Sequence, residues 1–192
     1  MTQKKLKSAK DYGYVISEGP GQLCLFQKGP LSQWWLGERT GEDHSFAPKG
    51  HPFRDEGEQR FNCTEQWMMA AKAVLMNDME AADKIIAEPS PKKQKELGRT
   101  IQNFNPVVWD EHKRRVVYYG NLWKFSQNPT LKDFLLSFPR GTIFAEASLD
   151  QIWGTGIDIT SDNKFDESVW TGQNLLGRAI TLVRDTLLFE GT

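Results

Sequence analysis

Residues 61–72 constrain this chain more than any other stretch: Phe61-Asn62-Cys63-Thr64-Glu65-Gln66-Trp67-Met68-Met69-Ala70-Ala71-Lys72. The pattern predicts a mostly apolar helix from a Thr64 N-cap to about Met76, with core spacing at Met68, Ala71 and Leu75. Glu65 and Lys72 sit on it seven residues apart. At about 100° per residue they fall within about 20° of each other around the axis and about 10.5 Å apart along it. Helical side chains lean toward the N-terminus, so Lys72 reaches back toward Glu65. If that face is buried, both groups lose water together, and such pairs are where proton affinity is tuned for acid–base and nucleophilic chemistry. By spacing alone, the commoner arrangement is an exposed face with two unrelated charges.

The balance of charge narrows the partners. A net charge of −1 and a pI near 6.3 argue against a protein held to nucleic acid by bulk electrostatics. Lys4, Lys5, Lys7 and Lys10 leave a local basic arm, read as a solubilising tail. Cys24 and Cys63 make neither a disulfide framework nor a zinc site, and His44, His51 and His112 lack metal-ligand spacing. No metal and no cofactor is expected. The early lysines precede no apolar run and no segment is apolar enough to span a bilayer, so the expectation is a cytoplasmic protein without a membrane partner. Seven Trp lie mostly near polar or Gly-rich segments, which favours aromatic pocket walls.

Along the chain, residues 1–11 read as a flexible tail and 12–192 as a single domain. Tyr12–Ser17 and Gln22–Gln27 predict a hairpin about Gly19-Pro20-Gly21. Residues 37–60 read as a long loop, a feature often tied to function. Helices are expected at Met79–Ala87, Lys92–Leu97, Trp109–Phe125, Pro129–Phe138 and Asn174–Phe189, and a strand at Thr142–Ala147. In Trp109–Phe125 the apolar face runs through Trp109, Val116, Tyr119 or Gly120, and Trp123, with Lys113 toward solvent. In the last helix it runs through Leu176, Ile180, Val183 and Leu187. The class is α+β, helix-rich, with a small hairpin or sheet element.

Several short motifs carry candidate binding groups, each with an ordinary structural explanation. Trp153-Gly154-Thr155-Gly156 offers amides to a phosphate, or is a turn. Asn174 is a helix cap whose amide also suits a polar ligand. Arg99 can clamp a phosphate or answer a helix dipole. Trp109 suits stacking or core. Asp158, Asp162 and Asp166 lack the Gly and terminal Glu of a calcium loop.

In this order, these pieces resemble the NADAR superfamily of YbiA-like proteins, over roughly residues 22–190. The matching segments are Leu31–Trp35, Thr64–Met69 with Lys72, Leu97-Gly98-Arg99, Trp109-Asp110, Gly120–Asn128, Glu146–Gly156 and Trp170–Gly177. The resemblance implies an N-glycosidase with catalytic roles for Glu65, Lys72 and Asp150. It implies substrate contacts from Ser32, Gln33 and Trp34, and from Arg99, Trp109, Trp153, Gly154, Gly156 and Asn174. Many relatives have His where this chain has Gln66, and Asn and Phe where it has Gln33 and Trp34.

Members of such a family act on ADP-ribosylated guanine in DNA or on ribosylamino-pyrimidine phosphates of riboflavin synthesis. The first is the expected substrate here and the second the alternative. A module that holds ADP-ribose or NAD without turnover is a third reading, opposed by retention of both Glu65 and Lys72. A carboxyl group on an apolar face is expected to hold its proton near neutrality and donate it to the leaving nitrogen. A neutral Lys72, desolvated beside Trp67 and Trp109, is the expected Schiff-base nucleophile for a ring-opened glycosylamine.

Overall fold

The computed structural model describes residues 6–19, 21–37, 43–48 and 59–189. Pro20 of the expected turn, residues 1–5 of the expected tail, and 38–42 and 49–58 of the expected loop lie outside them. Two compact units emerge, one drawing on the chain up to Ser32 and from Pro129 onward, the other formed by Gln33–Asn128. The first unit is completed only when the chain returns after the second, because its sheet needs both segments.

That sheet has three strands, β1 (Val15–Ile16), β2 (Leu23–Phe26) and β3 (Ile143–Glu146), in that spatial order. β1 and β2 form the expected antiparallel pair, Val15 opposite Leu25. β3 joins β2 in parallel, Leu23 opposite Ile143 and Phe26 opposite Glu146. The central position of β2 explains its sequence: Leu-Cys-Leu-Phe is buried on both faces, as an unbroken apolar strand must be. Residues 8–12, largely within the segment expected to be a tail, fold into a turn whose Asp11 carboxylate accepts from the Ser8 amide and hydroxyl, and Tyr12 is buried. Its ring meets Phe134 edge-on, and Phe134, Phe138 and Phe144 continue the contact.

The second unit is helical: α1 (Thr64–Leu75), α2 (Met79–Ala87), α3 (Pro91–Gly98) and α4 (Pro106–Gln127). The first unit adds α5 (Pro129–Leu136) and α6 (Leu175–Phe189), whose Leu176, Ile180, Val183 and Leu187 are all buried as the spacing predicts. α1 is central to its unit, packed by α2, α3 and α4. Trp67 fills the contact with α4. Its indole N–H donates to the Val116 carbonyl at 2.8 Å, and a Cβ on Gly120 would lie 2.4 Å from its ring. Glycine at 120 is therefore what lets the two helices close.

Three expectations are corrected. Thr64 is the first helical residue of α1, not its cap; Cys63 holds that position without a capping side-chain bond. α4 starts at Pro106, capped by the Asn105 carboxamide, which accepts from Val107 and Val108. Lys113 is buried rather than solvated. The buried stripe of α4 runs through Lys113, Val117, Gly120, Asn121 and Lys124, with Lys113 paired to Asp110 near the helix start.

Candidate functional site on helix α1

The first turn of α1 is anchored by the chain before it. The Gln33 carbonyl accepts from the Glu65 amide at 3.0 Å and from the Thr64 hydroxyl at 3.2 Å. The Glu65 amide is one of the backbone donors that a helix start leaves open. Glu65 is thereby fixed at the second helical position, 2% exposed, where the helix dipole favours a negative charge and burial opposes it. Gln33 is itself buried, its side-chain Nε2 donating only weakly to the Met68 sulfur at 3.7 Å. Trp34, next in the chain, is exposed, with the Lys95 ammonium 5.8 Å from its ring centroid.

Two turns along, Lys72 is half-buried. Its amine donates to the Gly98 carbonyl at 2.7 Å and lies 4.4 Å from the centre of the Phe104 ring. The sequence makes this possible through a glycine. A Cβ on Gly98 would meet the Met69 sulfur at 2.0 Å, so only glycine lets the end of α3 touch α1 one turn before Lys72. Burial holds the Lys72 amine below the ordinary lysine range, the Glu65 carboxylate pulls it back up, and the exposed Arg99 guanidinium adds to the lowering. Glu65 and Lys72 thus act on each other, and Arg99 acts on Lys72, within one unit.

The aromatic ring at Lys72 is Phe104. Trp109 stands half-buried on the first turn of α4, and Trp67 lies about 200° around α1 from Glu65, committed to α4. The sequence reading missed Phe104 because it sits in an irregular connection where periodicity says nothing.

Gln66 explains the departure from the commoner His. It is 3% exposed and faces α2. Its Nε2 donates among the Ile85, Ile86 and Glu88 carbonyls, at 3.2, 2.9 and 3.1 Å, and its Oε1 accepts from the Asn62 amide at 2.8 Å. This residue closes the end of α2, so no proton-transfer group is missed there. Gln66→Ala leaves those buried groups unpaired and is expected to lower stability by about 3 kcal/mol in chemical denaturation. A loss under about 1 kcal/mol would show that the clamp is dispensable.

The remaining expected residues belong to the first unit. Ser32 is buried at the end of a turn, its amide donating to the Gly29 carbonyl. Asp150 Oδ1 accepts from the Ile152 and Trp153 amides at 2.9 and 2.8 Å. The Thr155 and Gly156 amides donate to the Glu146 and Ser148 carbonyls at 2.8 and 2.9 Å. The carbonyls of Ile152, Trp153 and Gly154 accept from Leu175, Leu176 and Asn174, the start of α6. The expected phosphate cradle is therefore corrected: the Trp153, Thr155 and Gly156 amides are already spent. Gly172 packs against this turn so closely that a Cβ would meet the Gly154 carbonyl at 2.4 Å. Asn174, immediately before α6, takes a left-handed φ of 50°. Its Nδ2 donates to the Phe144 carbonyl and its Oδ1 accepts from the Glu146 amide, both at 3.1 Å, which ties the helix to β3.

Comparison with known proteins gives the lineage. The family model described as NADAR domain matches residues 25–188. The chain is 43% identical over 121 residues to N-glycosidase R617 of Acanthamoeba polyphaga mimivirus, covering 63% of this chain and 71% of that protein. It is 37% identical over 131 residues to protein irg-1 of Caenorhabditis elegans, covering 67% of this chain and 61% of the worm protein. It is 30% identical over 177 residues to the chloroplastic riboflavin biosynthesis protein PYRR of Zea mays, covering 87% of this chain and 26% of the maize protein. The chain thus spans under two thirds of the worm protein and about a quarter of the maize one. The NMR structure of Escherichia coli YbiA superposes with a TM-score of 0.66 at 19% identity, over 88% of this chain and 86% of that one, which shows the same α+β fold. No helix among the described residues is long and apolar enough to cross a membrane.

Proposed function

The chain belongs to the NADAR family, and from that premise we propose that it is an N-glycosidase that removes ADP-ribose from ADP-ribosylated guanine in DNA. Glu65 is the acid–base and Lys72 the amine that receives the sugar. One observation carries the reading: a buried carboxylate and a half-buried amine act on each other on one helix, the amine fixed by the Gly98 carbonyl. Likeness to a protein named as an N-glycosidase supports the bond type. The exposed Trp34 face, with Lys95 over it and exposed Arg99 close to Lys72, suits a substrate made of bases and phosphates.

The chemistry balances without a co-reactant other than water. The glycosylamine ring opens to an imine at the anomeric carbon, the ring oxygen taking a proton. Neutral Lys72 adds through its nitrogen, and Glu65 gives a proton to the departing exocyclic amine. The guanine amine leaves as the lysine imine forms. Water, activated by the Glu65 carboxylate, then hydrolyses that imine to the free sugar and the lysine. Lys72 must be neutral when it attacks and Glu65 protonated when it donates. The two demands agree when Glu65 is itself protonated in the resting site, or when the pair shares one proton and titrates together. Phosphate contacts are assigned to Arg99 and Lys95, since the first unit's turn amides are committed. Asp150 and Asn174 already serve the fold there, so the proposal rests on the second unit alone.

The likeness to riboflavin biosynthesis proteins favours a second reading, a metabolic N-glycosidase acting on a ribosylamino-pyrimidine phosphate. Incubation with ADP-ribosylated oligonucleotide, ribosylamino-pyrimidine phosphate and NAD, followed by chromatography, separates the two. Release of ADP-ribose and intact guanine is expected from the oligonucleotide. Cleavage of the pyrimidine alone would transfer the assignment. Retention of ADP-ribose with no product from any substrate would make the protein a binding module.

A further inference from the structure

Residues 44–47 form a strap within the second unit that the proposed chemistry does not use. Phe46 and Phe61, both fully buried, exchange backbone bonds at 3.1 and 2.9 Å, and their rings stack with centroids 6.2 Å apart. The Gln127 carboxamide holds Ala47 in both directions, accepting from its amide at 2.8 Å and donating to its carbonyl at 2.6 Å. Asn128 donates to the His44 carbonyl at 3.3 Å. The strap is thereby fixed both to the end of α4 and to the chain that enters α1. From it the His44 ring, 3% exposed, meets the segment before the strap. Its Nδ1 accepts the Trp35 indole N–H at 3.2 Å, and the two rings stack with centroids 6.1 Å apart, 25° from parallel. An indole N–H can only donate, so Nδ1 carries no proton. Trp34 therefore stands between two tethered neighbours. Gln33 is tied to α1 through its carbonyl, and Trp35 to the strap through its indole. Trp34 itself is 43% exposed, so these two ties do more than surrounding packing to set where it points.

We propose that His44 is a positioning residue for Trp34: through the Trp35 indole it holds the Trp34 ring ready to stack on a base of the substrate. The proposal rests on the reading of the Trp34 face as the face that meets bases. His44 is buried beneath Trp35, so it acts through that side chain and not by touching substrate. A ring that is already fixed loses less freedom when a base lands on it. Stacking of a base on an aromatic ring supplies affinity and does not act on the bond that breaks. The signature of the His44 tie is therefore a change in KM with kcat held.

Two substitutions separate the tie from the bulk of the ring. His44→Leu keeps an apolar side chain and removes the acceptor. His44→Asn keeps an acceptor where Nδ1 stands, the same number of bonds from the main chain. With ADP-ribosylated oligonucleotide as substrate, His44→Leu is expected to raise KM about fivefold with kcat within about twofold of wild type, and His44→Asn to restore KM. In a Trp34→Ala background, His44→Leu is expected to change KM no further, because the ring it would position is gone. Wild-type KM in His44→Leu, or the same rise with and without Trp34, overturns the proposal. A purely structural histidine would lower the melting temperature and leave KM in place. Should His44→Leu not fold, Trp35→Phe removes the donor from the other side, and the same rise in KM is expected; an unchanged KM there is equally fatal. A readout independent of turnover is 15N relaxation of the Trp34 indole. It is expected to be rigid in the wild type, mobile once the tie is cut, and rigid again in His44→Asn, and equal order throughout sinks the inference. Absence of glycosidase activity on every substrate defeats the functional reading instead, and the Trp34 indole still judges His44.

Discussion

Glu65→Gln is expected to lower kcat on the glycosidic substrate by about 10²–10⁴-fold, the range for losing a positioned acid–base. KM is expected to move little. The change keeps the size of the side chain and removes only its ability to exchange a proton. The main-chain anchor survives, because the Gln33 carbonyl bonds the Glu65 amide and not its carboxyl group. Stability is expected to hold or rise, since a charge at a site 2% exposed costs hydration that an amide does not. Activity and stability are thus predicted to move apart, which a general disruption of the helix does not produce. Steady-state kinetics paired with thermal melting make the test. Turnover within a few fold of wild type would remove Glu65 from the mechanism.

How much of this was legible in the sequence depends on where each signal resides. α2 was placed at Met79–Ala87 from local pattern alone, and the structure gives the same ends, with Asp78 capping the Ala81 amide. The β1–β2 hairpin was equally local. The parallel docking of β3 was not, because pairing Leu23 with Ile143 leaves no trace in either segment. The start of α4 was written plainly as Asn105-Pro106, a cap followed by a residue pre-set for the first turn. The expected start at Trp109 follows the apolar series and misses that cap. The same reliance on apolar residues sent Lys113 to solvent and overlooked Lys124, since periodicity cannot distinguish a buried lysine from a solvated one. At the site, the seven-residue spacing put Glu65 and Lys72 on one face. What fixes the amine comes from elsewhere: a carbonyl delivered by a close-packed glycine and a ring from an irregular connection. The ties of the Asn174 carboxamide to the Phe144 carbonyl and the Glu146 amide are hidden for a related reason, as they join segments far apart in the chain.

Lys72→Met is expected to abolish borohydride trapping of the sugar and to lower turnover by at least 10²-fold, with Lys72→Arg no better because guanidinium stays protonated. Two amines compete for the role on chemical grounds. Lys124 is the more easily neutralised, lowered to about 7, but it is sealed at 1% exposure. Lys72 is half-buried beside exposed Phe104 and Arg99, so substrate can reach it, and its amine also lies below the ordinary lysine range. Access selects Lys72. The Glu65 carboxylate is what raises the Lys72 amine against burial and Arg99, so removing that charge must ease its deprotonation. In Glu65→Gln the pH at which the trapped adduct forms is therefore expected to fall, even as turnover collapses. Peptide mass spectrometry after borohydride, across pH 5–9, reads both effects at once. An adduct on Lys124, or normal turnover with no adduct on any lysine, would transfer the reaction to direct attack by water activated at Glu65.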